Sequence, residues 1–163
     1  MIRGLLHSLL YFPSKEVLQT PEQAGLDCRD VVLETDDGER LRGWLIACRG
    51  EPHGHLLLLH GNAGNIGDRV LHASVLTAAG FDVLSFDYRG YGDSSGSPSE
   101  EGTYRDARAA LALIREAIED CAPPGAVARE GYLHPKFTAQ AEALVRGIYA
   151  ITGRSGCGRM DSR

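Results

Sequence analysis

Two short segments constrain this chain more than anything else in it: the continuous apolar run of His55-Leu-Leu-Leu-Leu-His60, and Phe81-Asp-Val-Leu-Ser-Phe86, which reads as a second buried strand. Neither shows the strict apolar–polar alternation of a strand with one face in water. Strands apolar on both faces belong inside a sheet that helices cover on each side. Between them, residues 66–79 carry Val70, Leu71, Val75 and Leu76 near helical spacing, and Gly80 follows as a stop. Asn65 ahead of this segment, with Asp68 three residues on, predicts an N-cap and an acid in the first turn. Strand, helix and strand in this order predict an α/β unit with parallel pairing.

The flanks extend the pattern. Upstream, Val31-Val-Leu-Glu-Thr35 and Leu41-Arg-Gly-Trp-Leu-Ile-Ala47 lie on either side of Asp36-Asp37-Gly38-Glu39, a strand–turn–strand hairpin. Downstream, a loop rich in Gly, Ser and Tyr spans residues 87–99. A helix is expected from Glu100 to Glu119, with Ser99 as its cap and Ala107, Ala110, Leu111, Ile114 and Ile118 as its apolar stripe. The expected fold class is therefore α/β, with an amino-terminal hairpin, mostly parallel strands and flanking helices.

Composition narrows the partners. At 163 residues, 43% hydrophobic and 24% charged, the chain is globular and long enough for one real core. A net charge of −5 argues against a general nucleic-acid binder, which needs a basic face against phosphates. Cys28, Cys48, Cys121 and Cys157 lie far apart, without a C-x-x-C pair, so neither a zinc site nor a disulfide framework is expected. No metal or cofactor is predicted.

Charge also divides the chain. Up to Asp120 the net charge is −8; from Cys121 it is +3. Pro123-Pro124 follows the break, and Ala141, Leu144, Val145 and Ile148 predict a helix from Thr138 to Ala150, with Ile148-Tyr-Ala-Ile151 readable instead as a short strand. No third buried run is evident. Residues 1–120 are expected to form one unit and residues 121–163 a divergent tail, of the kind a frameshift near codon 120 would produce. At the other end, Leu5, Leu6, Leu9 and Leu10 share a helical face within Met1–Phe12, but Arg3, His7 and Ser8 interrupt a stretch already far short of about 20 apolar residues. An amphipathic helix packed on the body, or associated with a membrane surface through residues 1–12, is expected in a cytoplasmic protein.

Chemistry concentrates in Leu59-His-Gly-Asn-Ala-Gly-Asn65, at the carboxyl end of one predicted strand and the start of a helix. Ligands of open α/β sheets bind at that edge, and unpaired amides there suit an anion, either a phosphate or the oxyanion of acyl transfer. Neither G-x-G-x-x-G nor G-x-x-x-x-G-K-[ST] occurs, which weakens the phosphate reading. The plainest alternative is a tight strand-to-helix turn with no ligand at all.

A second motif follows the next strand: Phe86-Asp-Tyr-Arg-Gly-Tyr-Gly-Asp-Ser-Ser-Gly96, continuing Ser97-Pro-Ser-Glu-Glu-Gly102. The two motifs in this order resemble the α/β-hydrolase superfamily, nearest its serine-aminopeptidase-like branch of esterases and acyl-thioesterases, from about Leu10 to about Glu119. That resemblance implies a small acyl ester or thioester substrate, an oxyanion-hole donor at the backbone amide of Asn62, a scaffold role for His60, and loop roles for Asp87 and Arg89. It also calls for a nucleophile on G-x-S-x-G, then an acid and a histidine. This sequence holds Gly153-Arg-Ser-Gly-Cys-Gly158, with one residue too many after the serine. Ser155 is the candidate nucleophile; Asp161 follows it, whereas the last histidine, His134, precedes it. The expectation is the amino-terminal half of a serine hydrolase, truncated and without a complete triad. A second reading is a non-catalytic interaction protein that uses an exposed sheet edge and the Gly61–Asn65 loop, with self-association through that edge.

Overall fold

The computed structural model describes residues 10–121, 129–132 and 148–152. Its strands are β1 (Phe12–Pro13), β2 (Asp27–Glu34), β3 (Arg40–Ala47), β4 (Gly54–Leu58), β5 (Ala63–Gly64), β6 (Phe81–Phe86), β7 (Arg129–Tyr132) and β8 (Ile148–Thr152). Helix α1 covers Val70–Ala78 and α2 covers Glu100–Cys121. Six strands form one sheet in the order β2-β3-β6-β4-β8-β7, and β1 pairs with β5 in a separate two-stranded sheet.

The two predicted buried strands lie side by side at the centre. β4 and β6 pair in parallel, with Leu56 opposite Val83 and Leu57 opposite Leu84. Pairing is antiparallel outward from them, β6 with β3 and β4 with β8, so the sheet is mixed around a parallel core. Alternate residues feed two cores. Leu57, Leu59, Leu84 and Phe86 pack with Ala110 and Ile114 of α2, while Leu56, Leu58 and Val83 pack with Val70 and Ala73 of α1. Helices on both faces are why these strands are buried on both sides.

The hairpin forms as expected but runs longer, from Asp27 opposite Ala47 to Glu34 opposite Arg40. From Asp30 to Glu34 its outer strand alternates exposed and more buried positions, with Leu33 turned inward and Val32 outward, and its charged residues Asp27, Arg29, Asp30 and Glu34 suit a solvated edge. At the turn, Gly38 takes φ +87°, and the Thr35 hydroxyl accepts the Glu39 amide at 2.9 Å.

Two expectations need correction. Residues 66–79 are not a single helix: a 3-10 turn over Ile66–Arg69 precedes α1. Asn65 does cap the segment, accepting the Gly67 amide at 2.9 Å, and Asp68 accepts the Asn65 amide at 3.2 Å. Leu71 and Val75 point outward, 72% and 61% exposed, because Val70, Ala73 and Thr77 form the inner face. The helix predicted over 138–150 does not extend through Ile148–Ala150, which belong to β8, the short-strand alternative. Ile-Tyr-Ala-Ile-Thr is a strand-forming composition, and pairing with β4 covers an otherwise open edge. β7 adds a further strand beyond it. The rest of that predicted helix, and most of the predicted amphipathic segment 1–12, lie outside the described residues. Among the described residues, no helix is long and apolar enough to cross a membrane.

Candidate active site

The loop after β4 is tied to its surroundings by hydrogen bonds at His60, Asn62 and Gly64. His60 is 2% exposed. Its Nδ1 lies 2.7 Å from the Gly61 carbonyl oxygen; a carbonyl can only accept, so Nδ1 carries the proton. Nε2 then accepts the Tyr88 amide at 3.4 Å and lies 3.4 Å from the buried Asp87 carboxylate. The Tyr88 and Tyr91 rings meet the imidazole edge-on, with centroids 4.9 and 5.0 Å away. Both ring nitrogens are engaged and the ring is enclosed, an arrangement that suits a scaffold and not a proton shuttle.

Asn62 is held on three sides. Its carbonyl accepts the Phe12 amide at 2.9 Å and the Tyr91 hydroxyl at 2.9 Å, and its side-chain amide donates to the Leu10 carbonyl at 2.8 Å. The Ser14 amide donates to the Gly64 carbonyl at 3.0 Å. The segment 10–14 therefore straps the loop in place. Gly64 sits at φ +76°, where a Cβ would collide with the Asp68 carboxylate that completes the cap. A Cβ on Gly61, by contrast, would meet nothing within 4 Å. The loop is rigid on its inner side and open beside Gly61.

The motif after β6 supplies the buttress. Asp87 is buried and accepts the Ile66 amide at 2.9 Å, which joins the start of the 3-10 turn to the end of β6. Arg89 is a buried clamp: its Nε donates to Asp106 at 2.9 Å, and its two Nη atoms donate to Asp37 at 2.8 and 3.0 Å. The Asp37 carboxyl is held well below the usual carboxylate range by Arg89 and then by the Thr35 hydroxyl. Burial pushes Asp106 up, against the pull of Arg89. Hairpin turn, loop and α2 are thereby tied into one body. Neither Asp87 nor Arg89 has a free reactive group, which fits loop roles.

A buried His–Asp contact lies at the other end of these strands. His55 Nδ1 is 3.5 Å from Asp82, which also accepts the Cys48 amide at 2.8 Å. Burial alone would raise the Asp82 carboxyl, but the bonds from His55 and Cys48 outweigh it and lower it. Among the described residues, no three His, Cys, Asp or Glu side chains gather as a metal site would.

Of the residues singled out from the sequence, Asn62 lies at the loop described here, whereas Ser155 and His134 lie outside the described residues. β8 runs antiparallel to β4, with Ile148 opposite Leu58 and Ile151 opposite His55. Its last residue, Thr152, thus lies near the amino end of β4, while Asn62 follows the carboxyl end. Sequence reasoning missed Tyr91, Asp106 and the 10–14 strap, since only three-dimensional contact gives them partners; the paired tyrosines of Asp-Tyr-Arg-Gly-Tyr-Gly were the one available signal.

Residues 54–120 match a family model described as the alpha/beta hydrolase fold. This chain carries part of that fold. It is 45% identical over 103 residues to a Mycobacterium tuberculosis protein, covering 63% of this chain and 37% of that one. It is 37% identical over 113 residues to the alpha/beta hydrolase domain-containing protein WAV2 of Arabidopsis thaliana, covering 63% and 36%. Among solved structures, the Pyrococcus furiosus esterase Pf2001 superposes with a TM-score of 0.55 at 25% identity, over 66% of this chain and 41% of that one. The chain spans less than two fifths of the length of these curated relatives.

Proposed function

We propose that this protein is a serine-type hydrolase of carboxylic ester or acyl-thioester bonds, close to the serine-aminopeptidase-like branch of its superfamily, in which the Asn62 backbone amide stabilises the oxyanion. One observation carries the reading. The Gly61–Asn62 peptide is fixed by the bond from His60 Nδ1 to the Gly61 carbonyl. In a trans peptide the N–H points opposite to the C=O, so the Asn62 N–H is aimed away from the buried imidazole. The open space beside Gly61 leaves room for an acyl carbonyl.

In the reaction, serine oxygen attacks the acyl carbon while a histidine, His134 or an earlier one since none follows Ser155, takes its proton, and the carbonyl electrons move onto oxygen. Collapse expels the alcohol or thiol, and water then releases the acyl group from the enzyme. The amide acts where the charge develops; losing one such donor costs about 10²–10³ in rate. Ser155 is the assigned nucleophile. The same reading includes a cytoplasmic location with membrane-surface association through residues 1–12, and residues 121–163 as a divergent tail on the hydrolase unit 1–120.

The antiparallel course of β8 favours a second reading, because it carries the chain toward the end of the sheet away from Asn62. In that reading the protein is a non-catalytic interaction protein, with the Gly61–Asn65 loop and a sheet edge as its surface and self-association as its expected behaviour. One experiment separates the two. The hydrolase reading expects turnover of p-nitrophenyl butyrate and a covalent fluorophosphonate adduct, both lost in Ser155→Ala. An intact wild-type protein that neither turns over nor labels overturns it in favour of the second.

A further inference from the structure

We propose that the Tyr91 hydroxyl is a positioning group that, with His60, fixes the two peptide planes on either side of Asn62. The consequence for catalysis rests on the hydrolase reading above; the positioning itself does not.

His60 holds the plane between Gly61 and Asn62 through the Gly61 carbonyl, at 2.7 Å. Tyr91 holds the next plane, between Asn62 and Ala63, through the Asn62 carbonyl at 2.9 Å, and the Phe12 amide shares that oxygen at 2.9 Å. There is no cis peptide among the described residues, so each N–H faces away from the carbonyl so held. Fixing both planes sets the directions of the Asn62 and Ala63 N–H groups without touching either. Tyr91 is suited to this. It is 1% exposed, and its ring packs edge-on against His60 at 5.0 Å and 62°, so the two clamps support each other. Burial pushes its hydroxyl up to about 12, which keeps the donor proton in place at neutral pH. Its backbone is fixed too: its own amide donates to the Tyr88 carbonyl at 3.0 Å, and the next amide, Gly92, donates to the Ser14 carbonyl at 2.8 Å. The second tyrosine of Asp-Tyr-Arg-Gly-Tyr-Gly thus acquires a task.

Tyr91→Phe removes one donor and almost no volume. It is expected to move the Asn62 carbonyl ¹³C resonance upfield and to shift the Ala63 amide ¹⁵N, with the rest of the spectrum near wild type. Tyr104→Phe, whose hydroxyl is at the surface, is expected to leave both in place. Replacing Tyr91 with p-aminophenylalanine, which keeps a donor at the same ring position, is expected to restore the Asn62 signal, and it provides a folded comparison if Tyr91→Phe is unstable. With p-nitrophenyl butyrate, Tyr91→Phe is expected to lower kcat about tenfold at unchanged KM, a displaced donor costing less than a lost one. Asn62 and Ala63 resonances that stay at wild-type positions in Tyr91→Phe overturn the proposal. If the wild type neither turns over nor labels, the hydrolase reading falls, and the positioning role is still decided by the Asn62 carbonyl shift.

Discussion

Asp106→Ala tests whether the Arg89 clamp holds the fold together. Asp106 is fully buried, and its carboxylate accepts the Arg89 amide at 2.8 Å, Nε at 2.9 Å and Nη2 at 2.8 Å. Alanine takes the partner from the Arg89 amide and Nε and leaves the guanidinium, 8% exposed, with the part-exposed Asp37 on its Nη atoms. Removing one partner of a buried pair costs about 3–5 kcal/mol; because Asp37 still pairs two of the nitrogens, about 3 kcal/mol is expected. Against a total stability of about 5–15 kcal/mol this is a large share. With a urea dependence near 2 kcal/mol per molar, the midpoint falls by about 1.5 M. Trp44, the single tryptophan and 7% exposed, reports unfolding by fluorescence. Arg89→Met/Asp106→Leu replaces the pair with apolar bulk and is expected to recover most of the loss. A loss under about 1 kcal/mol in the single variant, or a double variant no better than the single, would refute this account of the clamp.

Acid unfolding provides a second check. The bonds from Arg89 and then Thr35 depress Asp37 in the folded state, so its contribution is present above the unfolded carboxylate value of about 3.9 and is lost as pH falls below it. Arg89→Met is therefore expected to flatten the stability profile below about pH 4, as followed by Trp44 fluorescence. Gly64→Ala should cost about 2–3 kcal/mol in urea unfolding, from a left-handed backbone and a displaced Asp68 cap. Gly61→Ala should change stability by no more than about 0.5 kcal/mol, since its Cβ meets no neighbour, while lowering ester hydrolysis by filling the space assigned to substrate.

The central strands, the hairpin, α2 and the Asn65 cap were all legible because each depends on local pattern: apolar runs, an Asp-Gly turn, a stripe, and a capping pair three residues apart. The candidate loop was legible as a tight turn for the same reason, glycines following a buried strand. What local pattern does not encode is partnership across the chain. Phe12 and Tyr91 meet Asn62 from about 50 and 29 positions away, and Asp106 looks like any helix-surface acid until Arg89 reaches it. α1 misled for a related reason. Its apolar residues surround the helix, so the inner face was decided by which side could pack closely on β3 and β6. β8 was obscured because Ile148–Thr152 follows residues with helical spacing, and only the open edge of β4 favours the strand.

The central claim is that the Asn62 N–H faces a site built for a negatively charged oxygen. The ¹H–¹⁵N resonance of Asn62, compared before and after reaction of the protein with a fluorophosphonate, tests it most directly. The account predicts a single covalent adduct and a downfield move of the Asn62 amide proton as the phosphonyl oxygen takes the oxyanion position. An adduct that leaves the Asn62 resonance where it was, or no adduct on folded protein, would contradict it.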